Sequence, residues 1–155
     1  MPFMTPYAAT KHAVEALAEG FGYELAPFDV QSLIVEPSSM PTTGSLTKIV
    51  HGDDTARAAG SDPLDARQRE MFAQDNRWLE SPQGPDPASV ATAIADLIDT
   101  PAADRPLRTT VGPNAEGAEI LNQTSAAVQR ELLQALGLGD LLPGTAGTGP
   151  SVPSP

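Results

Sequence analysis

The stretch PYAATKHAVEALAEGFGYELAPF, residues 6–28, runs directly into DVQSLIVEP, residues 29–37, and the join between them decides the fold. In the first, Ala13, Val14, Leu17, Ala18, Phe21 and Leu25 recur at spacings of three and four, one apolar stripe of a helix over 7–26. Thr5 is placed to cap its start, with Pro6 at the first helical position, and Pro27 ends it. Gly20 and Gly22 weaken the interior but allow another helix to approach closely. In the second stretch, Val30, Leu33, Ile34 and Val35 form a short apolar, β-branched run closed by Pro37. That reads as a buried parallel strand over 30–36. A helix feeding such a strand within a few residues is half of an α/β crossover unit.

The rest of the chain extends the pattern. Residues 38–85 form a loop region rich in Ser, Thr, Gly and Asp as far as about residue 63, followed by a helix over 63–80 with a small apolar face of Leu64, Met71, Phe72 and Trp78. Asp86 caps and Pro87 starts a helix over 87–100, with Val90, Ile94, Leu97 and Ile98 on one side. RPLRTTVG supplies a second strand over 106–112, and a closing helix occupies 116–137. The tail PGTAGTGPSVPSP, 143–155, has the composition of a disordered segment. The two strands are expected as parallel neighbours. A two-stranded parallel sheet is not a stable object alone, and the first strand is apolar enough to want partners on both sides. The chain over 1–142 therefore reads as part of a larger sheet.

Charge and composition narrow the function. The 155 residues carry twenty acidic and nine basic side chains, a net charge of −11. Nucleic-acid binding calls for a basic face, and anionic membrane surfaces repel such a chain. The absence of cysteine excludes disulfides and thiolate metal sites. His12 and His51, the two histidines, have no acidic cluster at ligand spacing, so no metal is expected. Without an apolar run of membrane-spanning length or a leader, the expected location is cytoplasmic. Glu15, Glu19 and Glu24 line one helix and are expected as a solvated face.

Tyr7 and Lys11 carry the chemistry. Four residues apart, they stack on one face at the head of the helix. An ammonium beside a phenol favours the phenolate and lowers the phenol pKa toward the range of general acid–base work. Taken alone, a tyrosine four residues before a lysine is a common coincidence; the surroundings decide. Tyr7, Ala9, Thr10 and Lys11, then Glu24 to Pro27, then Pro37 and Thr42 resemble, in order, three motifs of the short-chain dehydrogenase/reductase family: its Y-x-[AS]-[ST]-K helix start, its E-L-A-P-like turn, and its P-G-x-x-x-T segment over the nicotinamide.

The resemblance implies an α/β fold, the C-terminal portion of a Rossmann-like doubly wound parallel sheet. It also implies an oxidoreductase using NAD or NADP on an alcohol or carbonyl. Tyr7 would be the proton donor or acceptor. Lys11 would tune it and hold the nicotinamide ribose, and Pro37, Ser38 and Thr42 would hold the carboxamide. Ser38 stands where the family has glycine, which is costly only if its φ is positive. Met40, Met71, Phe72 and Trp78, with Leu79, would wall the substrate or serve as ordinary packing. The family's glycine-rich pyrophosphate turn and its catalytic serine and asparagine have no counterpart, so the N-terminal nucleotide-binding half is absent and the chain reads as truncated. A homo-oligomer or a complementing chain is the expected partner. Two other readings stand beside this one: a non-catalytic remnant acting through subunit association, and an unrelated helical interaction domain.

Overall fold

The computed structural model describes residues 2–41, 53–54, 62–113 and 115–142. They fall into two compact units, the described residues of 2–38 with those of 90–142, and the described residues of 39–89.

The first unit opens with helix α1, Thr5–Leu25. Thr5 is its first helical residue and not its cap. Met4 takes the cap position with no side-chain hydrogen bond, and Pro6 lies in the first turn, where its missing N–H costs nothing. Pro27 sits within a 3-10 turn, Ala26–Phe28, that tightens the helix exit, and Asp29 closes it in the left-handed region at φ 56°.

Strand β1, Ile34–Pro37, is shorter than the run 30–36. Its parallel partner β2, Arg108–Val111, pairs in the register Ile34↔Arg108 to Pro37↔Val111. Pairing starts where the Ile34 N–H donates to the Leu107 carbonyl at 2.8 Å, and Pro106 just before has no N–H to extend the ladder. Val30 is consequently left about half exposed. At the other end the Ser38 N–H donates to the Val111 carbonyl, and Gly112 turns the chain out at φ 108°, a torsion that favours glycine. The fold is α/β, with β2 the one strand beside β1 among the described residues.

The helix preceding β2 is Ala88–Asp99; with Asp62–Leu79 of the second unit counted as α2, it is α3. Asp86 accepts a hydrogen bond from the Ala88 N–H at 2.9 Å, so the start is capped by the residue that the sequence marks. Helix α4, Glu116–Ala135, follows β2 and carries Glu116 and Glu119 in its first turn, where they complement the helix dipole. Among the described residues the buried apolar side chains are four: Leu97 and Val111 in the first unit, Met40 and Leu79 in the second.

The apolar stripe of α1 is not what packs. Val14 and Leu17 are each 60% exposed and Phe21 50%. The flank bearing Glu15 and Glu19 is turned inward instead. Gly22, buried on that flank, is not approached by a helix: a Cβ there would meet Leu107 and Ser32, just before β2 and β1 respectively.

Candidate functional site

Tyr7 and Lys11 lie on the first two turns of α1. The Lys11 ammonium stands 5.5 Å from the centre of the Tyr7 ring, within cation–π range. The i,i+4 spacing produces this contact with no help from distant residues. Tyr7 is 55% exposed, and the Thr10 hydroxyl, donating to the Tyr7 carbonyl at 2.7 Å, tightens the same turn.

Pro37 and Ser38 end β1 in the same unit. Ser38 is not among the described non-glycine residues with positive φ, so serine fits there without strain. Its Oγ is buried and has no hydrogen-bond partner among the described residues. Thr42 and His51 lie outside the described residues. Met40, Met71, Phe72 and Trp78 belong to the second unit, where Met40 is buried and the other three are half-buried on or near α2.

A polar cluster that local spacing does not announce joins α1, β1, β2 and α4. Arg108, the first residue of β2, has a side chain only 7% exposed. Its Nε donates to Glu15 Oε1 at 2.8 Å, its Nη2 donates to Glu19, and Glu36 Oε1 lies 4.0 Å away. Arg108 and Glu36 project from the same face of the sheet, because the register pairs Ile34 with Arg108 and side chains alternate along a strand. Asn122 donates to Glu36 at 2.6 Å, Gln129 donates to Glu19, and the Tyr23 hydroxyl donates to Gln129 at 3.1 Å. Glu15 and Glu19 are therefore partners of a buried arginine and not a solvated face; Glu24 alone of the three is exposed.

Burial pulls the Arg108 pKa down, but hydrogen bonds and charges from Glu19 and Glu15 outweigh it and hold the guanidinium above its usual range. Burial raises the Tyr23 phenol, the Glu19 charge raises it further, and Arg108 offsets part of that. The visible signal for this cluster is the i,i+4 pair Glu15/Glu19 beside the apolar stripe and one arginine in a strand of β-branched residues.

Among the described residues no group of His, Asp and Glu could hold a metal, and no helix is long and apolar enough to cross a membrane. No family model matches the chain. A 60-residue stretch is 35% identical to the uncharacterized oxidoreductase YusZ of Bacillus subtilis (strain 168), covering 36% of this chain and 21% of that protein. The chain thus matches about a fifth of the length of this relative, and its likeness is to an oxidoreductase.

Proposed function

We propose that the chain is the Tyr–Lys portion of an NAD(P)-dependent oxidoreductase of the short-chain dehydrogenase type, acting on an alcohol or carbonyl. The observation that carries this is the stacked Tyr7–Lys11 pair on a helix that leads into the first strand of a parallel pair. Likeness to a named oxidoreductase supports it.

The nicotinamide, when bound, supplies or accepts the hydride. The residues present fit such a group: the buried Ser38 hydroxyl beside the end of β1 lacks a hydrogen-bond partner among the described residues, which a carboxamide would supply. Lys11 would hold the ribose, and Pro37 and Ser38 the carboxamide. Tyr7 gives its proton to the carbonyl oxygen on reduction and takes it back on oxidation. The glycine-rich pyrophosphate turn comes from sequence other than these 155 residues. The exposed stripe of Val14, Leu17 and Phe21 and the side of β1 left unpaired among the described residues favour association with a complementing chain or with a second copy.

The test is NADH- and NADPH-dependent reduction of a carbonyl panel by the native protein isolated from its source cells. Tyr7→Phe lowers turnover by roughly a hundredfold to ten-thousandfold and leaves cofactor affinity intact. Turnover that survives the change overturns the role of Tyr7. A native protein that binds neither cofactor overturns the dehydrogenase reading itself.

A further inference from the structure

A cleft of about 310 Å³ lies between the start of β2 and α4, walled also by Tyr23 of α1. This volume falls at the lower end of small-molecule sites, which run from roughly 300 Å³ upward. The Tyr23 position is sixteen residues beyond Tyr7, about 24 Å along the helix at 1.5 Å per residue, so the cleft is separate from the Tyr7–Lys11 pair.

Arginines gather in its lining. Within an acidic unit of an acidic protein, every basic residue except Lys11 lines this one cleft: Arg105, Arg108 and Arg130. Their states differ. Arg108 is already engaged by Glu15 and Glu19, with Glu36 Oε1 4.0 Å away. Arg105 is clamped by neutral acceptors alone, its Nε on the Thr100 carbonyl at 2.8 Å, its Nη2 on the Ile98 carbonyl at 2.9 Å and its Nη1 on Gln31 Oε1 at 3.1 Å. These bonds hold it at the C-terminus of α3, and it pairs with no carboxylate among the described residues. Arg130 is exposed and pairs with no carboxylate among the described residues. Glu119, the acidic residue of the lining, keeps its charge and accepts from Gln123 at 3.0 Å and from the Thr110 hydroxyl at 3.4 Å. Leu107, Ala126 and Leu142 add an apolar wall.

We propose that this cleft binds a small organic acid, its carboxylate on Arg130 beside the fixed charge of Arg105 and its apolar body against Leu107, Ala126 and Leu142. A guanidinium fork matches a carboxylate with two parallel donors, and a free fork at the mouth of a partly apolar cleft selects an anion with a hydrocarbon body over a bare one. The site stands independently of the dehydrogenase reading.

The test is an NMR titration of the full-length isotope-labelled chain with sodium benzoate, with sodium phosphate and sodium chloride at matched ionic strength as comparisons. Benzoate is expected to give saturable shifts of the Arg130 Nε–H and the side-chain amides of Asn122 and Gln123. Arg130→Gln, a change at an exposed position that leaves the fold intact, weakens binding by roughly tenfold or more, the loss of a charge-assisted hydrogen bond. Tyr7→Phe leaves it unchanged. Shifts that do not saturate, that persist at equal affinity in Arg130→Gln, or that appear with phosphate and not with benzoate overturn the proposal.

Discussion

The Arg108 guanidinium on β2 binds the Glu15 carboxylate on α1 at 2.8 Å, across 93 residues of sequence. With Glu19 on the next turn of the helix and Glu36 on the neighbouring strand, three carboxylates converge on one buried cation. Replacing Arg108 with methionine leaves those three to repel one another in a partly desolvated place. Breaking a buried pair by removing one partner costs about 3–5 kcal/mol. Because Glu15, Glu19 and Glu36 are 20–29% exposed, the expected loss is at the low end, about 3 kcal/mol. Urea unfolding measures it. Adding Glu15→Gln and Glu19→Gln to Arg108→Met recovers part of the loss, whereas an equal or larger loss in the triple variant would mean that the cluster matters through packing and not charge.

The Tyr23 phenol gives the folded chain a dependence on alkaline pH. Its pKa is raised in the folded state by burial and by Glu19, while in the unfolded chain it returns to about 10. Protonated Tyr23 therefore favours the folded state. Its contribution is full below pH 10 and is lost as the pH rises from there through the higher folded value. Urea midpoints at pH 8 and pH 11 should diverge, and Tyr23→Phe should narrow the difference. An unchanged difference in that variant would place the alkaline sensitivity elsewhere.

Gly22 offers a test of packing. It is buried in the last turn of α1, and a Cβ built on it would meet Leu107 Cδ1 at 3.7 Å and Ser32 at 3.9 Å, ordinary contact distances. Alanine fits and gains helix propensity, so Gly22→Ala is expected to stabilise by about 0.5–1 kcal/mol. Gly22→Leu has no such room and should destabilise by about 1–3 kcal/mol through overpacking. Thermal unfolding of the two variants reads opposite signs.

The contrast between Gly22 and Phe21 shows what the sequence could and could not convey. Local spacing was enough for the helix of Tyr7 and Lys11, for the apolar strand after it and for the α/β class, because each depends on neighbours in sequence. Asp86 at the start of α3 was legible for the same reason. Which flank of α1 meets the sheet was not. A stripe at helical period marks a side that water disfavours, but only a covering surface decides whether that side is buried. With β2 as the one neighbour of β1 among the described residues, the stripe of Val14, Leu17 and Phe21 stays exposed and the Glu15/Glu19 flank is held by Arg108. The arginine cleft was hidden likewise, since Arg105 and Arg130 are brought together by the packing of α4 and not by spacing.

Lys11 separates the catalytic reading from mere helix stabilisation. On an exposed helix start, a lysine stacked over an aromatic ring contributes about 0.5–1 kcal/mol, so Lys11→Ala should lower stability only slightly. In the proposed enzyme the same ammonium also serves the nicotinamide ribose and the Tyr7 phenol. The variant should therefore weaken cofactor binding and lower kcat together, each by about tenfold or more, while Tyr7→Phe lowers kcat and spares binding. Lys11→Arg retains the cation over the ring but presents a planar fork in place of a compact ammonium, and should restore stability without restoring kcat. Measuring cofactor affinity, kcat and urea midpoints on the three variants of the native enzyme distinguishes the two roles. A Lys11→Ala enzyme with normal kcat and normal cofactor affinity would reduce the Tyr7–Lys11 stack to a local helix contact.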